Sequence, residues 1–238
     1  MMSDPKRQGE PLALEEIEGV LLPLEHARPF PGRAFVDEAV FAFELDRIFG
    51  RAWICAGRAD AIALPGQWMR VMVGAEAILI VRGPDLHVRA FHDVCRHRGA
   101  SLVALRASAR DDGVEARPAC GRVSRRIECP YHGWAYELDG RLAVAPHAPP
   151  SLDRSRNGLR EVRVDTWCGF VFVTLGKEHE TPPLDRWLGE PAPWLLANDV
   201  LSSLRLGRAV TYTTHANWKL LVENFQESHH FPRVHRAL

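Results

Sequence analysis

Two short turns constrain this chain more than anything else in it. Cys95-Arg96-His97 and Cys129-Pro130-Tyr131-His132 each offer one thiol and one imidazole, and 31 residues separate His97 from Cys129. A structural zinc site usually takes two cysteines from one knuckle and its remaining pair from elsewhere, in C-x2-4-C and H-x3-5-H spacing. Here the two ligand types alternate within each arm. Two such loops meeting face to face place both sulfurs on one iron of a [2Fe-2S] cluster and both nitrogens on the other. Neutral imidazoles in place of two thiolates make the site less negative, raising its potential from about −400 mV into the range of about −150 to +300 mV. A zinc staple, or unrelated buried thiols beside surface histidines, are the readings this one competes with.

Loops that must meet need a scaffold of short strands and tight turns, and the flanking sequence has that pattern. Trp53 to Ala56, Trp68 to Val73, Ala77 to Val81 and His87 to Phe91 are short apolar runs set apart by turn residues such as Gly83-Pro84-Asp85. Before them, residues 1–34 are rich in proline, with a short helical piece expected around Leu14 to Ile17, and Val40, Phe41, Leu45, Ile48 and Phe49 recur at helical spacing from Asp37 to Phe49. Residues 105–127 are polar, arginine-rich and without period, and are expected to form a surface loop. Trp167 to Leu175 has the composition of a strand, helical pieces are expected around Leu184 to Leu188 and Trp194 to Asn198, and Leu204 to Thr214 is expected to be a strand leading to a helix from Asn217. Cys120 falls in the polar loop with no histidine two or three positions on, and Cys55 and Cys168 have apolar neighbours, so these three are expected to be bystander thiols, the last two buried.

The chain ends NWKLLVENFQESHHFPRVHRAL. Glu227, His230 and His235 form E-x2-H-x4-H, and on a helix Glu227 and His230 lie one turn apart on the same face. Pro232 is expected to break that helix, letting His235 swing round to the same metal, whereas His229 is on the wrong face. Two histidines and a carboxylate on one face of an octahedron are how non-haem Fe(II) oxygenases hold iron and leave positions open for O2. Glu-x2-His is also a metal device of helical di-iron proteins, but no second such pair occurs.

C-x-H with C-x2-H, flanked by Arg98-Gly99 and Gly133-Trp134, resembles the Rieske domain of the Rieske non-haem iron oxygenases, the family of aromatic ring-hydroxylating dioxygenase alpha-subunits. The 217–238 stretch, with Asn217-Trp218-Lys219 and Glu223-Asn224, looks like that family's iron-binding helix. The resemblance implies an α+β chain: an N-terminal lead and helix over 1–50, an all-β Rieske domain over 51–165, and over 166–238 the start of a helix-grip, START-like catalytic domain. It implies Cys95, His97, Cys129 and His132 as cluster ligands, His230 and His235 as ligands of a mononuclear Fe(II), and Glu227 and Asn224 as catalytic residues, with Glu227 bridging electrons from a neighbour's cluster. In the family the third iron ligand is an aspartate far beyond the second histidine, and this sequence stops three residues after His235. The implied partners are a reductase or ferredoxin drawing on NAD(P)H, O2, a small organic substrate and further copies of the chain in a homotrimer. Glutamate at 227 with short spacing looks more like the members that oxidise quaternary amines than the ring hydroxylases. The rival class is a Rieske-type electron carrier without oxygenase activity.

Thirty basic side chains balance thirty acidic ones, so no overall field draws the chain to nucleic acid or an anionic membrane. No apolar run approaches the roughly 20 residues of a spanning helix, and the first residues lack the pattern of a secretory signal. A cytoplasmic protein is expected, since five cysteines are few and odd in number for a disulfide scaffold.

Overall fold

A computed structural model describes residues 10–103, 119–190, 200–207 and 214–235. The chain divides into two compact units, one of residues up to Ile48 together with those from Thr213 onward, the other Phe49–Tyr212.

In the larger unit the short apolar runs form antiparallel strands: β1 (Ile54–Arg58), β2 (Gln67–Val73), β3 (Glu76–Arg82), β4 (Val88–His92) and β5 (Ala119–Arg122), then β6 (Ile127–Glu128), β7 (Ala135–Tyr136), β8 (Leu142–Val144), β9 (Glu161–Trp167) and β10 (Phe170–Thr174). One sheet has the order β1-β10-β9-β4-β3-β2-β5 and a smaller one β6-β7-β8. β3 shows why its sequence, AILIV, is apolar without alternation. Successive side chains point to opposite faces, and here both faces are covered. Leu79 and Val81 enter a core shared with Cys95, Cys129, Trp134 and Tyr136, while Ile78 and Ile80 enter a second core with Met69, Val171 and Val173. Each such aliphatic burial contributes about 1.5–3 kcal/mol, so a strand that feeds both cores also backs the two cysteine loops.

Several expectations need correcting. Trp167 to Leu175 is two strand segments, because Cys168 (φ 45°) and Gly169 (φ 79°) form the two-residue hairpin between β9 and β10. Cys168 is therefore only half-buried, and Cys55, on edge strand β1, is exposed. Part of the expected 105–127 loop is ordered: β5 pairs with β2, setting Cys120 opposite Met69, and β6 begins at Ile127. Residues 104–118 lie outside the described residues, as does the helical piece expected at 194–198. Leu204 to Gly207 carry no strand, and 208–213 lie outside the described residues. The boundary expected at 165/166 falls inside β9, and β10 pairs with both β1 and β9, so the first sheet continues past it.

The smaller unit joins the start of the chain to its end, in place of the separate 1–50 segment expected. Asp37 caps the helix Glu38–Glu44 through Ala39 N–H (2.8 Å), and a π turn, Leu45–Phe49, replaces its expected last turn. The helix Trp218–Gln226 begins where expected, and each residue of N-W-K has a task there. Asn217 caps it, accepting from Lys219 N–H at 3.1 Å and donating through Nδ2 to Phe35 O at 3.0 Å. Trp218 Nε1 donates to Glu44 Oε2 at 2.8 Å, and Lys219 Nζ donates to Glu44 Oε1 at 2.6 Å. Glu44 and Lys219 are both buried, so the pair ties the two helices together. Among the described residues no helix is long and apolar enough to cross a membrane.

Candidate metal centres

The two cysteine loops are one turn used twice. Cys95 N–H donates to Ala100 O at 2.8 Å and Gly99 N–H to Cys95 O at 3.0 Å; Cys129 N–H donates to Trp134 O at 2.8 Å and Gly133 N–H to Cys129 O at 3.0 Å. Each frame therefore runs from a cysteine to a glycine four residues on, and each glycine has positive φ, 74° at Gly99 and 68° at Gly133. A Cβ built on Gly99 would meet no atom within 4 Å, so the left-handed backbone, not crowding by protein atoms, is what calls for glycine there. Histidine takes the third place of the first frame and the fourth of the second, and this is the whole difference between C-x-H and C-x2-H.

Both thiols are buried, Cys95 2% and Cys129 3% exposed, whereas His97 is exposed and His132 half-buried. The imidazole rings lie 4.8 Å apart at 63°, and His97 stacks on Trp134 with an interplanar angle of 7°. Burial pushes the Cys129 thiol up; the N–H groups of Tyr131 and His132, which point at its sulfur, pull the other way, and the neighbouring Cys95 raises it further. Burial first, then the positive charges of His97, Arg98 and His147, hold His132 below its ordinary value, which favours the neutral, metal-binding imidazole. Tyr136 OH lies 3.3 Å from Cys95 Sγ and accepts from Arg96 N–H at 3.0 Å. Trp134 Nε1 is buried and has no hydrogen-bond partner among the described residues. Two buried thiols side by side behind two imidazoles suit a binuclear cluster with sulfur on one iron and nitrogen on the other.

Asp93 holds the first frame in place and was not singled out from the sequence. Its side chain is fully buried and pairs with Arg70 Nε at 2.7 Å. Its oxygens also accept from Ser101 Oγ (2.7 Å), Leu102 N–H (2.8 Å) and Val103 N–H (3.3 Å), closing the loop that carries Cys95 and His97. A lone aspartate between an apolar strand and a candidate ligand cysteine is the one signal that marks it.

At the end of the chain the expected geometry changes. The helix stops at Gln226, and Glu227 is extended (φ −132°, ψ 162°), not part of a helical turn shared with His230. Its carboxylate accepts from the N–H groups of His229 and His230 and from His230 Nδ1. Pro232 does not break a helix; it sits in the first turn of a second one, Phe231–Val234, where a missing N–H costs nothing. The outcome still brings His230 and His235 together, with ring centroids 5.3 Å apart at 70°. Because Glu227 occupies Nδ1 of His230, the other ring nitrogen is the one free to meet a metal. Hydrogen bonding to His230 is also the main reason the Glu227 carboxyl is held below its ordinary value. Asn224 is exposed on the preceding helix.

Residues 52–166 match the Rieske [2Fe-2S] domain, and residues 201–238 match the catalytic domain of the ring hydroxylating alpha subunit. The chain belongs to the Rieske oxygenases. The glycine betaine monooxygenase oxygenase subunit of Pseudomonas aeruginosa is 31% identical over 234 residues, 97% of this chain and 50% of that protein. The carnitine monooxygenase oxygenase subunit of Escherichia coli K12 is 32% identical over 213 residues, 89% of this chain and 53% of that protein. A solved structure of a quaternary ammonium Rieske monooxygenase, 32% identical, superposes with a TM-score of 0.71 over 84% of this chain and 51% of its own. This Rieske chain thus spans about half the length of the curated relatives it matches.

Proposed function

We propose that this Rieske chain is the cluster-bearing and iron-binding portion of a terminal oxygenase that oxidises a quaternary ammonium compound. What carries the reading is the match of both ligand regions, in order, to oxygenase subunits that act on glycine betaine and carnitine. Cys95 and Cys129 would hold one iron of the [2Fe-2S] cluster and His97 and His132 the other, while His230 and His235 would hold a mononuclear Fe(II). When bound, the cluster supplies single electrons and the mononuclear iron supplies O2 activation. The overall change inserts one oxygen atom into a substrate C–H bond and reduces the other to water, with two electrons drawn from NAD(P)H through a reductase or ferredoxin and two protons taken from the medium.

The chain's own residues prepare this chemistry. Tyr136 and the N–H groups after Cys129 place donors against ligand sulfur, favouring the more negative, reduced state. Glu227 sets the tautomer and orientation of His230 by taking its Nδ1 proton side. Asn224, exposed on the helix three residues before Glu227, is the further residue proposed to act there. The arrangement proposed is three copies head to tail, Glu227 lying between one copy's iron and the next copy's cluster; inter-subunit electron transfer is described for the related quaternary ammonium monooxygenase.

A second reading has support in the iron site: the Glu227 carboxylate is already taken up by the N–H groups of His229 and His230 and by His230 Nδ1. On that reading the chain stores and passes electrons only. Anaerobic purification, EPR of the reduced protein and iron and sulfide analysis separate the two. About three irons per chain, with O2 uptake coupled to oxidation of glycine betaine or carnitine, supports the oxygenase; about two irons, without uptake, supports the carrier; a colourless protein free of labile sulfide rejects both.

A further inference from the structure

A cleft of about 530 Å3 opens beside the first ligand loop, between the turn Asp139–Leu142 and the loop Arg154–Glu161. Arg96, Arg141, Arg154, Arg156 and Arg160 line it, against the carboxylates of Asp139 and Glu161. Three positive charges are therefore in excess at one place on a chain whose total is zero. The walls are braced before anything binds. Leu159 N–H donates to Gly140 O at 2.8 Å, Arg154 Nη1 to Ala143 O at 2.9 Å, and Asp153 caps the turn Arg154–Asn157 through Ser155 N–H at 3.0 Å. Asp139 already accepts from Arg141 Nε at 2.8 Å, and Asp153 lies 3.8 Å from Arg156 Nε. Arg160 is exposed, and Arg96 Nε is buried with no hydrogen-bond partner among the described residues.

Arg96 sits between the two ligands of its loop. Its N–H donates to Tyr136 OH, which in turn touches Cys95 Sγ. Two hydrogen bonds through Tyr136 OH thus join the cleft to the Cys95 sulfur. Guanidinium forks pair bidentately with carboxylates, and a local excess of charge raises the rate at which an oppositely charged protein arrives.

We propose that this arginine cleft is the docking surface for an acidic electron-donor protein, whose carboxylates enter it while its redox centre faces the Cys95 loop. The proposal rests on the Rieske reading above and adds the place of entry and the charge of the partner. A protein partner is favoured over a small anion because the guanidiniums come from three places along the chain, Arg96, Arg141 and the 154–160 loop, and the cluster has to be supplied with electrons.

The probe is a plant-type [2Fe-2S] ferredoxin, an acidic protein whose potential lies below the Rieske range. Its binding in the oxidised form to the cluster-loaded chain is measured by calorimetry at low salt, and reduction of the cluster by its reduced form is followed by stopped-flow absorbance across a salt series. The variant is Arg154→Gln/Arg156→Gln/Arg160→Gln, with Arg47→Gln/Lys177→Gln/Arg205→Gln as a charge-matched control and dithionite as a reductant that needs no docking. Expected are weaker binding, a rate about tenfold lower at low salt and a flatter salt dependence in the cleft variant, with the control triple and dithionite reduction unchanged. A loaded cleft variant with unaltered affinity, rate and salt slope overturns the docking proposal and leaves the Rieske reading standing. Displacement of ferredoxin by inorganic phosphate at constant ionic strength, where chloride has no effect, also overturns it, making the cleft a small-anion site. A chain that cannot be loaded overturns the Rieske reading itself, and the docking proposal with it.

Discussion

Replacing Asp93 by asparagine tests whether the first ligand loop is held by one buried carboxylate. The Asp93 side chain is fully buried and that of Arg70 is 16% exposed, with 2.7 Å between them. In Asp93→Asn the guanidinium loses its counter-charge, and the new NH2 must face either Arg70 and Ser101 or the N–H groups of Leu102 and Val103, a donor against donors on both sides. Breaking one side of a buried pair costs about 3–5 kcal/mol. Water reaching Arg70 favours the lower end, and one unsatisfied buried donor adds about 1 kcal/mol or more. The expected loss is about 4 kcal/mol, on the order of a thousandfold in the folded ratio. With a urea slope of about 2 kcal/mol per molar for a unit of this size, the midpoint falls by about 2 M. Tryptophan fluorescence reports the unit, and visible absorbance of the loaded protein reports the loop, whose signal disappears first. A cycle with Arg70→Met isolates the pair, with a coupling of about 1–3 kcal/mol expected. A midpoint within about 0.5 M of the parent, with full cluster absorbance, refutes the reasoning.

Three further outcomes follow from the geometry. Lys219→Met strands the buried Glu44 carboxylate, and hydrogen-exchange protection of Trp218–Gln226 is expected to drop by about 3 kcal/mol, most of which returns in Glu44→Met/Lys219→Met; protection unchanged in the single variant rejects the clamp. Tyr136→Phe removes a donor from Cys95 sulfur, so the cluster potential moves negative by roughly 40 mV, the one-electron equivalent of about 1 kcal/mol; protein-film voltammetry showing no shift or a positive one counts against it. The Arg33 hydrogen bond, reinforced by Ala13 N–H, holds Glu16 at about 2 instead of 4.5; a depressed carboxylate stabilises above its ordinary value and that stabilisation is lost as pH falls through about 2, so the Leu14–Ile17 turn should detach from Arg33 between those values, and Glu16→Gln should abolish the pH dependence seen by NMR.

What could be read from the residues was whatever depends on near neighbours. β3 is legible because five apolar residues in a row mean two covered faces, and Asn217 because a helix start needs an acceptor for its free N–H groups. The misses depend on distant partners or on signals that two local structures share. Glu44 and Lys219 stand 175 positions apart, so neither announces the other. Cys168-Gly169 lies inside a run whose composition is that of one strand, and only the glycine hints at the hairpin. Glu227 and His230 keep an i, i+3 relation whether they share a helical face or, as here, a carboxylate closes the turn after the helix. Pro232 likewise reads as a breaker inside a helix and as a starter at the front of one, and the backbone takes the second option.

The two metal regions therefore differ in how much of their chemistry is local. In the first, one hydrogen-bonded frame repeats, Cys95 to Gly99 and Cys129 to Gly133, and each frame sets locally where its sulfur and imidazole go. That is why four candidate ligands could be proposed from two short words of sequence. In the second, two histidines meet only because the helix ends at Gln226, Glu227 turns the chain and a new helix begins at Phe231. Three separate backbone decisions set their spacing, and the helix before them is in turn held by Glu44 through Trp218 and Lys219. A single substitution at Lys219 should accordingly widen the His230 to His235 separation, whereas the cluster loops, braced by Asp93 and by their own repeated turn, should not respond. Iron analysis of Lys219→Met would then show the mononuclear iron lost and the labile sulfide retained; loss of both together would mean that the two regions are not built independently.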